Sequence, residues 1–329
     1  MKAIVRQQFG GPEQLAIREV PDPDPMPGHV VIQVKAFGLN HAELYMRKGD
    51  WGDVAAISGI ECVGVVAADV DGRFPRGQTV AAVMGGMGRT INGSYAEYTR
   101  VPSTHVVPLD SALPWEHLAP IPEVYATAWS CLFGNLDLAA GQRLLIRGAT
   151  SALGQAALNI AAHAGAEVIA TTRNRDRFAT LESLGAKRVE LEGADLSRRI
   201  RAVYPAGIDA VLELVGNSTL VDSLNTLRRG GRLVLAGFLG GLAPIASFNP
   251  LFQVPSGVHF SFFGSFAYGT PQFPLAEVPL QTIVDRAAAG IYQAKPARVF
   301  RFEDIQDAHR LMESNQANGK IVVTLDATQ

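Results

Sequence analysis

The apolar positions of the chain change texture once along its length. Up to about residue 120 they come in short runs, at residues 2–6, 15–20, 30–36, 62–68 and 79–84, separated by Gly and Pro. Runs of that length broken by turn residues predict the strands of a β-rich, barrel-like unit. Pro21, Pro23, Pro25 and Pro27 predict a stiff connector, Arg73-Phe74-Pro75-Arg76-Gly77 a turn, and residues 41–48 a single helix. Residues 93–99 alternate as a strand should, and Pro102, Pro108 and Pro114 lead out of the unit. From about Ile121 strands and helices alternate: strands at 144–147, 167–172, 210–215, 232–237 and 259–264, helices at 155–164 and 219–227. That order predicts a doubly wound parallel α/β sheet. Helical spacing returns at 280–289 and 305–312, and residues 320–325 form a last strand able to rejoin the first unit.

The second unit is organised around the stretch from Arg143 to Arg177, read as strand, glycine turn, helix and strand. The first apolar run stops at Gly148-Ala149-Thr150-Ser151-Ala152-Leu153-Gly154, where small residues let the backbone turn sharply and approach a ligand. The helix that follows would turn its unsatisfied N-terminal amides and its dipole toward that turn, and a pyrophosphate is the natural occupant. The spacing is G-x-x-S-x-x-G, with Ser151 where a stricter fingerprint has a middle glycine; an ordinary ligand-free turn is the alternative. The flanking strands and helix favour the nucleotide.

At the end of the second strand an NAD-preferring site would present Asp or Glu to the ribose hydroxyls. This chain reads Thr171-Thr172-Arg173-Asn174-Arg175-Asp176-Arg177 instead. A planar, permanently charged guanidinium suits a phosphate, so Arg173, with Arg177 or Arg175 as a second clamp and Thr172 as a hydroxyl donor, points to NADPH. For Arg175 and Arg177 taken singly, a solvated basic helix face is the competing reading.

Composition changes the picture mainly by exclusion. At 329 residues the chain is long for one core, so two domains are expected. A net charge of −2 gives no bulk attraction to nucleic acid or to an anionic membrane. The two cysteines, Cys62 and Cys131, both in apolar surroundings, exclude a disulfide framework and a multi-cysteine zinc cluster. No targeting segment and no membrane-spanning run is evident, and a cytoplasmic protein is expected.

Six motifs together resemble the medium-chain dehydrogenase/reductases of the zinc-independent, quinone-oxidoreductase-like branch over nearly the whole chain. They are Gly38-Leu39-Asn40-His41-Ala42-Glu43-Leu44, Ser58-Gly59-Ile60-Glu61-Cys62-Val63-Gly64, Gly93-Ser94-Tyr95-Ala96-Glu97-Tyr98, the glycine turn, Arg229-Gly230-Gly231-Arg232-Leu233-Val234 and Asn318-Gly319-Lys320-Ile321-Val322. The resemblance implies a GroES-like catalytic domain made from residues 1–120 and 266–329, a Rossmann NADPH-binding domain at 121–265 inserted between them, and an active-site cleft where they meet. It implies Thr127 near the nicotinamide, the turn at Gly237 and Phe238 lining the cofactor, Phe262 and Phe263 walling the nicotinamide side, and Asn318 and Lys320 toward the ribose phosphate end. For the two phenylalanines core packing is an equal alternative.

Zinc-dependent relatives carry a cysteine at the position of Asn40 and a histidine at that of Ile60, so the resemblance implies no metal here. His41, Glu61 and Cys62 make a poor substitute set, since Glu61 and Cys62 point to opposite faces of a strand. The expected activity is an NADPH-dependent reductase acting on a quinone or an α,β-unsaturated carbonyl. Asn40 and Tyr45 are the candidate hydrogen-bond donors to the developing oxyanion, against readings as a plain N-cap and a packing tyrosine. The alternatives are a non-catalytic NADPH-binding protein and an alcohol dehydrogenase acting on simple carbonyls. A homodimer is also implied, with the 259–264 run pairing edge to edge.

Overall fold

A computed structural model describes residues 1–325. The chain divides into two units: residues 1–126 together with the stretch from Ser265 on, and Thr127–Gly264.

The Thr127–Gly264 unit is a six-stranded sheet whose strands all run parallel. Across the sheet they lie in the order Arg188–Leu191, Glu167–Thr172, Arg143–Arg147, Ile208–Glu213, Leu227–Leu235 and His259–Phe262. The first strand in sequence is thus central, the second and third extend one way and the last three the other, which is the doubly wound arrangement with its switch point beside Arg143–Arg147. Near-continuous apolar strands such as Leu144, Leu145 and Ile146 are what a sheet covered on both faces requires, and all three are fully buried. One apolar core packs Leu145, Ile169 and Val211 against Leu196, Ile200, Leu220 and Leu224 of the covering helices.

The first unit holds a seven-stranded sheet built on the ten-residue strand His29–Gly38. That strand pairs with Glu61–Asp69, and near its start also with Tyr98–Pro102. Its far end takes Ile321–Thr324, antiparallel, with Val323 opposite Phe37, so the end of the described chain does rejoin the β-rich unit. Lys2–Arg6 and Leu15–Glu19 form a separate hairpin. Among the described residues no helix is long and apolar enough to cross a membrane.

Several elements differ from the pattern of apolar positions, and polar contacts explain why. The helix after the glycine turn begins at Ala152, three residues earlier than its apolar spacing, because Ser151 caps it. The strand expected at 210–215 is Ile208–Glu213; it starts where the Asp209 carboxylate accepts from Arg143 N and from Arg228, and stops where Glu213 accepts from Val215 N and Gly216 N. Arg188–Leu191 escapes pattern reading because a polar edge strand held by Arg188–Glu190 and Glu190–Arg199 ion pairs lacks an apolar run. In the 93–99 stretch the ladder starts only at Tyr98; Ser94 and Tyr95 leave it to bond inside the first unit.

Candidate functional site

Two clusters of polar groups lie where the sequence motifs fall, one in each unit. In the parallel-sheet unit the turn after Arg143–Arg147 runs from Gly148 to Gly154. Gly148 sits at φ +84°, and a Cβ on Gly154 would lie 2.5 Å from the Gly148 carbonyl, so helix and turn pack backbone to backbone there. Ser151 Oγ donates to Gly148 O at 2.8 Å and accepts from Gly154 N at 3.1 Å. The hydroxyl therefore ties the turn to the helix, the closure a middle glycine would leave open, and consumes one of the helix's free amides. Gly148 N and Ala149 N are also committed, to Thr171 Oγ1 and Thr171 O. Among the described residues the N–H groups of Thr150, Ala152 and Leu153 have no acceptor, and they remain at the positive end of a twelve-residue helix. Three unsatisfied donors within four residues at such an end fit a pyrophosphate.

A buried salt-bridge network backs this turn. Arg147, 1 % exposed, pairs with Glu192 and with Asp222 at 2.8 Å, and bonds Ser223 Oγ at 3.0 Å. Glu192 in turn accepts from Thr171 Oγ1 at 3.0 Å, so the hydroxyl that receives Gly148 N is itself held in place. Nothing in the apolar pattern signalled this role; the only cue was an arginine ending a core strand.

Arg173 follows directly on Glu167–Thr172 and is exposed, with no ion-pair partner among the described residues. Thr172 is buried and its hydroxyl is engaged with Asn174, accepting from Asn174 N at 3.1 Å. Arg175 lies over the Phe178 ring at 6.0 Å, while Arg177 is the cap residue of the helix Phe178–Ser183. Arg173 stands directly at the strand end; like those of Arg175 and Arg177, its side chain makes no hydrogen bond or ion pair among the described residues.

The remaining residues of this unit separate by burial. Thr127 is buried, on the helix Pro122–Trp129. Gly237 has no room for a side chain, since a Cβ would meet Leu214 O at 2.7 Å. Phe262 and Phe263, adjacent in sequence, part company: Phe263 is core at 2 % exposure, whereas Phe262 is 50 % exposed and meets Phe238 at 6.2 Å between ring centroids. Packing accounts for Phe263.

In the first unit the structure gathers a buried polar cluster that the sequence motifs named only in pieces. Lys320 Nζ lies 2.6 Å from Asn40 Oδ1 and 2.5 Å from Glu61 Oε1. Asn40 Nδ2 also donates to Glu61 Oε1 at 2.9 Å, and Glu61 Oε2 accepts from Glu123 N at 2.8 Å. Lys320 is only 5 % exposed and Glu61 fully buried, so the ammonium expected at a ribose phosphate is instead committed to an internal ion pair. Gly38 makes room for it: a Cβ there would stand 2.3 Å from Lys320 Cε. Asn318, exposed and at φ +58°, forms the left-handed turn before it, its amide bonded to Gln316 O at 2.8 Å.

Asn40 is the N-cap of the helix His41–Lys48, with the Glu43 carboxylate three residues on accepting from Asn40 N at 2.8 Å. Glu43 also accepts from Ile60 N at 3.1 Å and from the Tyr95 hydroxyl at 2.8 Å. Burial pushes its carboxyl up to about 7, with the Asn40 amide and the Tyr95 hydroxyl pulling the other way. Behind Tyr95 stands His309 Nε2, at 3.1 Å; burial and the nearby Arg47 charge lower that imidazole to about 3, so it is neutral. Tyr45 points elsewhere, half-buried, with its ring edge-on to His41 at 5.3 Å and stacked on Trp51 at 5.8 Å. Burial, then the Asp50 charge, raise its phenol, which keeps it protonated at neutral pH. Among the described residues no group of three or more His, Cys, Asp or Glu side chains is placed to hold a metal ion. Cys62 faces the apolar core, where burial raises its thiol, away from the Glu61 carboxylate.

A parallel sheet of this strand order, with open amides at its first turn, defines a dinucleotide-binding protein. Comparison with known proteins specifies it further. The family model for the zinc-binding dehydrogenases matches residues 152–279, and that for the alcohol dehydrogenase GroES-like domain residues 26–111. The quinone oxidoreductase of Homo sapiens is 30% identical over 248 residues, 73% of this chain and 74% of that protein. The squalestatin tetraketide synthase of Phoma sp. (strain C2932) is 28% identical over 90% of this chain, which spans only 11% of that much longer protein. Among solved structures, the Escherichia coli quinone oxidoreductase complexed with NADPH superposes with a TM-score of 0.87 at 22% identity, covering 99% of this chain and all of the other. The chain belongs to the medium-chain dehydrogenase/reductases, in their quinone-oxidoreductase-like branch.

Proposed function

We propose that this protein is an NADPH-dependent reductase of conjugated carbonyls, either quinones or α,β-unsaturated ketones and aldehydes, working without a metal. The observation that carries the cofactor half is the pairing of three unsatisfied amides, of Thr150, Ala152 and Leu153, with the unpartnered Arg173 one strand away. The amides suit the pyrophosphate and the guanidinium suits a phosphate on the ribose. Family membership supports the redox half. NADPH, when bound, supplies a hydride. The protein's own part is then to orient the acceptor and to stabilise the negative charge that collects on its carbonyl oxygen. Tyr45 carries that role in this reading. Asn40, the other candidate, has its amide spent on Glu61 and Lys320 and acts by holding them.

The cofactor assignment is tested by titrating Arg173→Ala with NADPH and NADH. A charge-assisted hydrogen bond is worth roughly 1.5–3 kcal/mol, so NADPH binding should weaken about ten- to a hundredfold while NADH binding hardly moves. Equal losses would remove Arg173 from the phosphate site. Wild-type protein that binds NADPH yet oxidises it with neither quinones nor enones would leave a binding protein and sink the catalytic half.

The protein also acts as a homodimer in this reading. His259–Phe262 is the last strand of the parallel sheet, with one hydrogen-bonding edge open, and Phe260 is half exposed there. Leu251 and Phe252, earlier in the same unit, are each 81 % exposed. Sedimentation velocity should return a dimer, shifted toward monomer by Phe260→Lys; a wild-type monomer at micromolar concentration would refute it.

A further inference from the structure

The loop from Met84 to Arg89 bears on which acceptor the protein takes. It reverses direction through Gly85, Gly86 and Gly88, all at positive φ, with Met84 itself at φ +62°. Arg89 N donates to Gly86 O at 3.0 Å and Arg89 O accepts from Ala55 N at 2.9 Å, which pins the loop against the segment that carries Trp51. The Arg89 guanidinium lies over the Trp51 ring at 5.5 Å and over the Phe266 ring at 5.4 Å, both within cation–π range. Trp51 is the ring on which Tyr45 stacks. Tyr45, Trp51, Arg89 and Phe266 thus form one continuous array inside the first unit, none of them fully buried.

Among the described residues the Arg89 side chain makes no hydrogen bond and no ion pair, whereas the buried Arg47 and Arg147 are paired with carboxylates. Two aromatic rings fix the guanidinium without using any of its five N–H donors, leaving a preorganised fork of the kind that takes a carboxylate or another oxyanion bidentately. A purely structural cation would be expected to spend those donors on the backbone around it. The aromatic array also sets a spacing, since only the Trp51 ring intervenes between Tyr45 and the guanidinium.

We propose that the acceptor this protein reduces is a planar conjugated carbonyl carrying an anionic group, with Arg89 receiving the anion while Tyr45 receives the carbonyl oxygen. The proposal rests on the reading that Tyr45 faces the reducible carbonyl. The oxyanion would lie along the array, two ring spacings from the phenol, and Trp51 and Phe266 would determine specificity by holding Arg89 still rather than by touching the anion.

The test compares benzoylacrylate with its methyl ester, two acceptors of one shape that differ by a charge, in binding to the NADP⁺-loaded protein by calorimetry. Both cysteines are buried, so neither is exposed to these electrophiles. The wild type should bind the carboxylate about ten- to a hundredfold more tightly than the ester. Arg89→Gln should bring the two within about twofold, while Arg89→Lys, which keeps the charge but not the fork, should retain part of the preference. Equal affinities in the wild type, or a preference unchanged in Arg89→Gln, overturn the proposal. Turnover of the same two compounds is read separately: tight, Arg89-dependent binding without NADPH oxidation would count against the reductase assignment and leave the anion site standing.

Discussion

Replacing Lys320 by methionine should cost the first unit about 3–5 kcal/mol, the range expected when one partner of a buried ion pair is removed and the other is left charged. The geometry favours the upper part of that range. Glu61 is fully buried, and among the described residues the ammonium is the only cation within bonding distance of it; the Asn40 amide and Glu123 N–H that remain are dipoles, not charges. A methionine fills the channel that Gly38 leaves open, so the loss is electrostatic rather than a cavity effect. Thermal unfolding followed by calorimetry should show the transition of this unit lowered by on the order of 10 °C. Lys320→Met combined with Glu61→Gln should recover most of the loss, because a neutral amide no longer demands a counter-charge. A single variant within about 1 kcal/mol of wild type would mean that the pair is structurally dispensable.

That ion pair also marks how far the sequence could be read. The parallel sheet was legible because its strands are short apolar runs that alternate with helices, and the chirality and shortness of such connections leave few topologies open. The glycine turn was legible for the same local reason. Glu61 and Lys320 were not, although each stands inside a motif that was recognised: a carboxylate at the start of an apolar strand and a lysine 259 residues later reveal their pairing only when Ile321–Thr324 is laid beside His29–Gly38. Ser151 was read as a departure from a glycine pattern, when its hydroxyl is a cap that closes the same turn by other means. Arg89 lies in a glycine-rich loop whose course depends on positive-φ residues and on one backbone bond to Ala55, neither of which leaves a trace in hydrophobic periodicity. Local order is written in spacing; buried polar pairing is written in tertiary register.

If Tyr45 is the oxyanion donor, as proposed, Tyr45→Phe should slow single-turnover hydride transfer to a conjugated acceptor by about ten- to a thousandfold, the loss that follows removal of one such donor. In the proposed metal-free reaction little would polarise an isolated ketone, whereas hydride arriving at the β-carbon of an enone, or on a quinone, puts charge on an oxygen that a phenol can stabilise. Burial raises the Tyr45 phenol, so the donor form is the one present at working pH. The substitution keeps the ring, and with it the stack on Trp51 and the edge contact with His41, so acceptor binding through Arg89 should survive. NADPH affinity should be unaltered, since Tyr45 belongs to the first unit and the open amides and Arg173 to the second. A rate loss confined to the chemical step, with both binding constants intact, therefore identifies the hydroxyl as the oxyanion donor. An unchanged rate would reduce Tyr45 to a wall, and with the Asn40 amide already committed to Glu61 and Lys320, the proton and the charge stabilisation would then have to come from ordered water.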